Sequence, residues 1–445
     1  MKVTLSVLKA DIGSVGGHTL PSRKVLAKVE EVVREEVGRL LLDAYVFHIG
    51  DDIVLLLSHT RGVRNQEVHA LAWKAFREGT EVARAEGLYG AGQDLLKDAF
   101  TGNLHGLGPQ VAEMEFTERP AEPFMVLAAD KTEPGAFNLP LYLAFADPMY
   151  SSGLLLSPEL RPGFRFRIMD LAQTERDSYI ELDAPERLYD IATLLRDSHR
   201  FAIESIWSRK HGEQAAVVST TRLRNIAGRY VGKDDPVAIV RTQKIFPATE
   251  EFGPVFALAP YVAGDTRGSH HMPLMPVRAN TPASTFFCVP MVCGLAFSLR
   301  EGRLSEPVDL FADPVWEAVR AKVVEKAQEM RRQGFYGPAM LPMEELEYTG
   351  IAERLKAAGV SQKTTSGSPG VLPRPTSEPP LGGGFKSLDG GRERGVCSPP
   401  KKGGGACGKR VSWPSFWPRA WAWPKGWSSF PPSSGPLKRP RRCGR

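Results

Sequence analysis

The sequence predicts an α+β catalytic domain over residues 1–360 and a tail without regular structure over residues 361–445. Three observations lead there. Helical periodicities are interspersed with strand-like runs that arrive in neighbouring pairs, not in strict alternation with helices, which favours α+β over a doubly wound sheet. No internal repeat is evident. Composition also changes abruptly near Ala358–Thr364, beyond which periodicity vanishes and Gly and Pro dominate.

The elements follow in order. Val3–Leu8 alternates as a strand. Ser22–Leu41 places Val25, Leu26, Val29, Val32, Val33, Val37 and Leu40 on one helical face, with charge opposite. Ala44–His48 and Ile53–Ser58 read as strands flanking Gly50-Asp51-Asp52, and Gln66–Glu86 as a second helix (Val68, Leu71, Ala72, Ala75, Phe76, Ala83). Leu88–Gln110 is long and Gly-rich, and such loops in a compact body are usually functional. Strand-like runs continue at Val111–Phe116, Phe124–Ala129, Arg165–Asp170, Tyr179–Leu182, Arg200–Ile206, Ala215–Ser219, Val237–Val240 and Gly294–Leu299. Ala184–Leu195 is a third helix. Asp313-Pro314 starts a fourth that runs to about Arg332, and Met343–Leu355 reads as a last one.

Charge separates the two regions. The 445 residues hold 57 Lys+Arg and 51 Asp+Glu, a net +6, and the sequence pI is about 9.0. Taken whole, that suggests a polyanionic partner. The tail alone has 16 basic and 3 acidic residues, a net +13, and the body has 41 basic and 48 acidic, a net −7. The body is therefore not a nucleic-acid surface by composition. No stretch approaches 18 apolar residues, so no membrane span is expected, and charge interrupts the N-terminal segment before a secretory core could form. Only Cys288 and Cys293 lie in the body, and no Cys-x-x-Cys pair exists. These features point to a cytoplasmic protein without a zinc or disulfide framework.

The tail carries 14 Pro, 15 Gly and five of the eight Trp in 85 residues, and reads as disordered. One reading is a basic, Trp-bearing nucleic-acid arm. The other is out-of-frame translation of a GC-rich gene, since Gly, Pro, Arg, Ala and Trp have GC-rich codons. The second is preferred because the change is abrupt and follows directly on what reads as a helix.

Carboxylates gather at the ends of predicted strands. Asp11 ends the first and His18 follows its Gly-rich turn. Asp51 and Asp52 lie between two strands, Asp130-Lys131 ends another, and Gly232-Lys233-Asp234-Asp235-Pro236 precedes Val237. Each alone suits a solvated turn. Their recurrence suggests convergence on one sheet edge, where mutual repulsion calls for a hard divalent cation. Oxygen-rich ligands favour magnesium, which polarises phosphoryl groups and activates water. Lys233 is either a salt-bridge lysine or an amine nucleophile for a ketone. In the second case Tyr230 would move protons.

At these residues the chain resembles the bifunctional fructose-1,6-bisphosphate aldolase/phosphatases of archaea and deeply branching bacteria, over about Met1–Ala357. The matching motifs are KADIGS-x-x-GH (Lys9–His18), H-x-GDD (His48–Asp52), LYGAGQDLL (Leu88–Leu96), GN-x-x-GLGP (Gly102–Pro109), ADKTEPGA-x-NLPLY (Ala129–Tyr142), AG-x-YVGKDDPV-x-IVR (Ala227–Arg241), RGSH (Arg267–His270), PLMPV (Pro273–Val277) and EYT (Glu347–Thr349). The resemblance implies a four-layer α-β-β-α single domain and a homo-octamer. It implies several magnesium ions per site and two reactions there. Dihydroxyacetone phosphate condenses with glyceraldehyde 3-phosphate, and the 1-phosphate of the resulting fructose 1,6-bisphosphate is then hydrolysed to leave fructose 6-phosphate. By position, Lys233 matches the Schiff-base lysine, Tyr230 its proton donor/acceptor and Asp11 the general base of the phosphatase step. The resemblance implies metal ligands at Asp11, His18, Asp51, Asp52, Gln93, Asp130, Asp234, Asp235 and Gln243. It implies substrate contacts at His18, Tyr89, Gly102, Asn103, Lys131, Arg267 and Tyr348.

Three residues depart from the family. Cys288 stands where an aspartate usually contacts sugar, and a thiol accepts a sugar hydroxyl less strongly than a carboxylate. His271-Met272 replaces the common Tyr-Gly. The Cys288 change or the altered C-terminus raises the alternative of a magnesium-dependent phosphatase with impaired aldolase activity.

Overall fold

The computed structural model describes residues 1–95, 108–171, 179–198, 200–219, 221–222, 234–263, 271–285 and 289–333. All of them fall within one compact unit, Met1–Thr365. The mixture of helices with mainly antiparallel sheets is α+β, as expected. The expected tail and the helix at Met343–Leu355 lie outside the described residues.

Five strands form the first sheet: β1 (Lys2–Asp11), β2 (Asp43–Ile49), β3 (Asp52–His59), β4 (Gln110–Thr117) and β10 (Thr221–Arg222), in the order β10-β4-β1-β3-β2 and all antiparallel. The second sheet has nine strands. Its path begins at β14 (Met275–Pro276) and runs through β15 (Met291–Phe297), β5 (Phe124–Asp130), β11 (Val237–Arg241), β9 (Gln214–Val218), β8 (Phe201–Ser208) and β6 (Phe164–Asp170) to β7 (Tyr179–Ala184). β18 (Val308–Asp309) adds on β15. Only β14–β15 is parallel in that sheet.

Side-chain alternation on β1 decides what meets what. Its odd positions Val3, Leu5 and Val7 join Phe47, Val54, Leu56, Val126, Ala128, Val237, Ile239, Cys293 and Leu295 in one buried cluster drawn from both sheets. Its even positions Leu8 and Ala10 pack with α1 (Arg23–Arg34) and α2 (Gln66–Ala85) through Val25, Val29, Val33, Ala72 and Phe76. The remaining face of the second sheet (Met125, Leu127, Ala238, Val240) packs on α3 (Asn138–Phe145), α5 (Leu188–Arg196), Phe256 and Trp316. α3 is the one packed helix of this set that periodicity does not announce. Its segment NLPLYLAF is apolar all round, so no stripe exists to detect.

Two helix limits differ from expectation. α1 stops at Arg34, not Leu41, because the chain turns through Gly38 at φ +87°, and Gly38 N–H bonds the Leu41 carbonyl. α5 begins at Leu188 because β7 continues to Ala184.

Candidate active site

β1 and β3 run antiparallel with Asp11 directly opposite Asp52, and Gly50-Asp51 turns the chain from β2 into β3. β5 of the other sheet ends on Asp130, and Asp234-Asp235 precede β11, its neighbour. Carboxylates from both sheets therefore meet at one end of the shared core. Asp11, His18 and Asp51 offer ligand atoms within 4.8 Å of one another, and so do Asp52, Asp130 and Asp235. His18 Nδ1 lies 2.8 Å from Asp51 Oδ2 and 3.4 Å from Asp11 Oδ2. Lys131 Nζ donates to Asp51 Oδ1 at 2.7 Å and Asp130 Oδ1 at 2.8 Å, while the fully buried Lys9 pairs with Asp52.

Backbone shape makes this approach possible. Gly50 has φ +53°, and a Cβ there would stand 1.9 Å from Asp130 Oδ2. Gly13, at φ +129°, lets Asp11 Oδ1 accept from its N–H at 3.1 Å. Lys131 and Asp235 both occupy left-handed backbone, at φ +61° and +51°, which costs non-glycine residues roughly 1–2 kcal/mol each. Reciprocal bonds offset that cost: Asp235 N–H to the Thr132 carbonyl at 2.9 Å, and Thr132 N–H to Asp235 Oδ1 at 2.6 Å.

The electrostatics are those of a site short of cations. Burial, with Asp51 adding and His18 opposing, pushes Asp11 up to about 7. Burial also pushes Asp130 up to about 6; Lys131 opposes it and Asp51 and Asp52 add to it. Burial acts upward on Asp51 as well, but Lys131 and His18 outweigh it and hold that carboxyl below the usual range. Among the described residues, Asp130 Oδ2 is buried without a hydrogen-bond partner. An orphaned carboxylate oxygen among hard oxygen donors and one imidazole fits a divalent cation.

A family profile described as fructose-1,6-bisphosphatase matches residues 2–361. The fructose-1,6-bisphosphate aldolase/phosphatase of Cenarchaeum symbiosum is 53% identical over 350 residues, which cover 78% of this chain and 91% of the relative. The protein of the same name from Moorella thermoacetica is 49% identical over 353 residues, covering 79% and 92%. That from Methanothermobacter marburgensis is 47% identical over 362 residues, covering 80% and 98%.

The chain belongs to the fructose-1,6-bisphosphate aldolase/phosphatase family.

Of the residues singled out through the aldolase/phosphatase resemblance, the structure brings together Asp11, His18, Asp51, Asp52, Asp130, Lys131 and Asp235. Asp234 is buried beside Asp235. Tyr89 stacks edge-on against His18, ring centroids 4.9 Å apart, and Gln93 Oε1 and His18 Cε1 both flank Gly90. Gln243 is not brought there. It follows Arg241, which pairs with Phe124 at the opposite end of β5 from Asp130, and its amide donates to Glu250. Lys233, Tyr230, Gly102, Asn103, Arg267, Cys288 and Tyr348 lie outside the described residues.

Two site residues were not singled out from the sequence. Lys9 shares the inward face of β1 with Asp11, and a charge continuing the row Val3, Leu5, Val7 was the available signal. Asp94 accepts the Asp11 backbone N–H at 2.9 Å through Oδ2, and nothing in its spacing marks it.

Proposed function

We propose that this chain makes fructose 6-phosphate by two reactions in one site: aldol condensation of dihydroxyacetone phosphate with glyceraldehyde 3-phosphate, then hydrolysis of the 1-phosphate of fructose 1,6-bisphosphate. The observation that carries the reading is the convergence of Asp11, His18, Asp51, Asp52, Asp130 and Asp235 around Lys131, in a family whose relatives bear the aldolase/phosphatase name. Both reactions place it in gluconeogenesis.

Asp11, His18, Asp51, Asp52, Gln93, Asp130, Asp234 and Asp235 would hold Mg2+, which when bound neutralises phosphoryl oxygens and activates water. Asp11 is the base that takes a proton in the phosphatase step. Lys131 presents a fixed ammonium to a phosphate, and Tyr89 and His18 form the exposed wall of the site. For the aldolase step, the Lys233 amine attacks the ketone of dihydroxyacetone phosphate and water leaves as the Schiff base forms. Tyr230 shuttles the proton between carbon and solvent. Gly102, Asn103, Arg267 and Tyr348 complete the substrate contacts.

The wider reading is a four-layer α-β-β-α domain, supported by the three apolar clusters, in a cytoplasmic homo-octamer. Among the described residues no helix is long and apolar enough to cross a membrane. The domain boundary is placed at 360/361, supported by a family match that ends at residue 361. The tail is read as frameshift-derived, without nucleic-acid function.

Two assays test this. Magnesium-dependent phosphate release from fructose 1,6-bisphosphate is expected, with EDTA abolishing it. Borohydride with dihydroxyacetone phosphate should trap an adduct on Lys233 that Lys233→Arg removes. Phosphate release without trapping would replace the bifunctional reading by the phosphatase with impaired aldolase activity, through the Cys288 change or the altered C-terminus. Absence of both sinks the proposal.

A further inference from the structure

We propose that Gln110 is a positioning residue for the cation site. With Ser219 it forms a directional relay that holds the Asp235 backbone in its left-handed conformation. The inference rests on the metal part of the reading above.

Gln110 opens β4 in the first sheet and Ser219 follows β9 in the second, so the pair ties the two sheets beside the carboxylates. Both are buried, Gln110 at 1% exposure and Ser219 at 0%. Val237 N–H donates to Ser219 Oγ at 2.9 Å, and Ser219 Oγ donates onward to Gln110 Oε1 at 2.6 Å. The amide oxygen therefore faces Ser219, and the amide nitrogen faces the Asp235 carbonyl at 2.7 Å and the Asp234 carbonyl at 3.4 Å. The reverse orientation would set the amide oxygen against two carbonyl oxygens and leave the serine proton without an acceptor. The order backbone N–H, hydroxyl, amide, carbonyl is thus fixed by the partners at both ends.

Asp235 needs such a hold. It is not glycine, yet sits at φ +51°, and its carboxylate belongs to the Asp52–Asp130–Asp235 group. Thr132 grips its N–H and Oδ1, and Gln110 grips its carbonyl. With the carbonyl released, the backbone can relax toward right-handed angles and swing the carboxylate away from Asp52 and Asp130. Residues that orient metal ligands in this way typically change cation affinity 10- to 100-fold.

The test compares the full chain with Gln110→Met, which keeps the length of the side chain without its hydrogen bonds, and Ser219→Ala, which frees the amide to turn. Folding is checked by circular dichroism and thermal midpoint in EDTA. Manganese(II) binding is followed by the electron paramagnetic resonance signal of the free ion, and phosphate release from fructose 1,6-bisphosphate is titrated with magnesium. Both folded variants are expected to bind manganese about 10-fold more weakly or worse. The magnesium concentration for half-maximal release should rise in step, the KM for sugar phosphate should hold, and kcat should recover at saturating magnesium. A folded variant that binds manganese as tightly as the parent overturns the proposal. So does the failure of both variants to fold, because the relay would then belong to the fold as a whole. If Gln110→Met alone fails to fold, Ser219→Ala decides. A parent chain that binds manganese but releases no phosphate fails the catalytic reading and leaves this inference to be judged on binding. A parent that binds no cation overturns both.

Discussion

Gly50 lies where the buried carboxylate of Asp130 leaves no room for a side chain. Gly50→Ala adds a Cβ where 1.9 Å is available and keeps a positive φ that alanine disfavours. Fructose 1,6-bisphosphate hydrolysis should fall at least about tenfold, since displacing a reacting group by 1 Å can cost about a hundredfold; unchanged kcat/KM would show that Asp130 moves freely. A second residue-scale prediction concerns His59, remote from the carboxylate cluster. Its Nδ1 accepts from Arg61 N–H at 3.2 Å, and its Nε2 meets Ser6 Oγ, which donates to Glu113 at 2.6 Å. Burial holds this ring down to about 4, below the ordinary value of 6.5. The unfolded chain therefore takes up the proton first. Stability from this group is full above pH 6.5 and is lost as pH falls from 6.5 toward 4, by about 3 kcal/mol in total. Urea unfolding at pH 7.5 and 4.5 should show that loss in the parent and a smaller one in His59→Gln; equal losses would reject it. The carboxylates were legible in the sequence because Gly-Asp and Asp-Pro turns at strand ends announce themselves. Lys9, Asp94 and Gln110 were not, because each acts on a partner far along the chain: 43, 83 and 125 residues away.

Elements were legible where burial is one-sided. The strands around Val3–Leu8 and Ile53–Ser58 and the amphipathic helix α2 stand where the pattern placed them, and α1 starts there but ends at Arg34. α3 escaped because a helix buried on most of its surface has no polar face to set the period. What anchors α3 is a single polar side chain. Asn138, 4% exposed, donates to the Leu195 carbonyl at 3.3 Å and the Phe201 carbonyl at 2.8 Å, and accepts from Ile203 N–H at 3.1 Å. It thus joins α3 to the end of α5 and the start of β8. Asn138→Ala orphans three buried backbone groups and should cost about 2–4 kcal/mol, since each unsatisfied group costs roughly 1–3 kcal/mol before relaxation. Asn138→Asp turns a buried carboxyl oxygen against those two carbonyls and should cost at least as much. Denaturation midpoints at constant m-value check the order; an alanine variant as stable as the parent would show that the carbonyls find other partners.

At the scale of the molecule, net charge misleads. The +6 total joins a body of −7 to a tail of +13, and the acidic body is the part with a described site. A chain ended after Ser361 should focus below pH 7, whereas the full chain focuses above it, and should retain hydrolysis of fructose 1,6-bisphosphate. Isoelectric focusing and the phosphate assay read both; loss of activity on truncation would give the tail a role in the enzyme. The α+β class and the region of interest were legible because patterning is local. The meeting of the two sheets at their carboxylate ends was not, because it depends on which strands pair across more than a hundred residues.

That meeting has a consequence for protein engineering. Asp11 and Asp52 face each other across β1 and β3, and like charges directly opposite destabilise a sheet. A search for stabilising substitutions in the cation-free protein would therefore select first against Asp11, and next against Asp130 at the end of β5 in the other sheet, while Asp52 is kept by its buried pair with Lys9. Thermostable variants chosen by melting temperature in chelator should lose catalysis as they gain heat resistance. Selection in the presence of a divalent cation should relieve that conflict, because an ion held among these carboxylates would offset their repulsion.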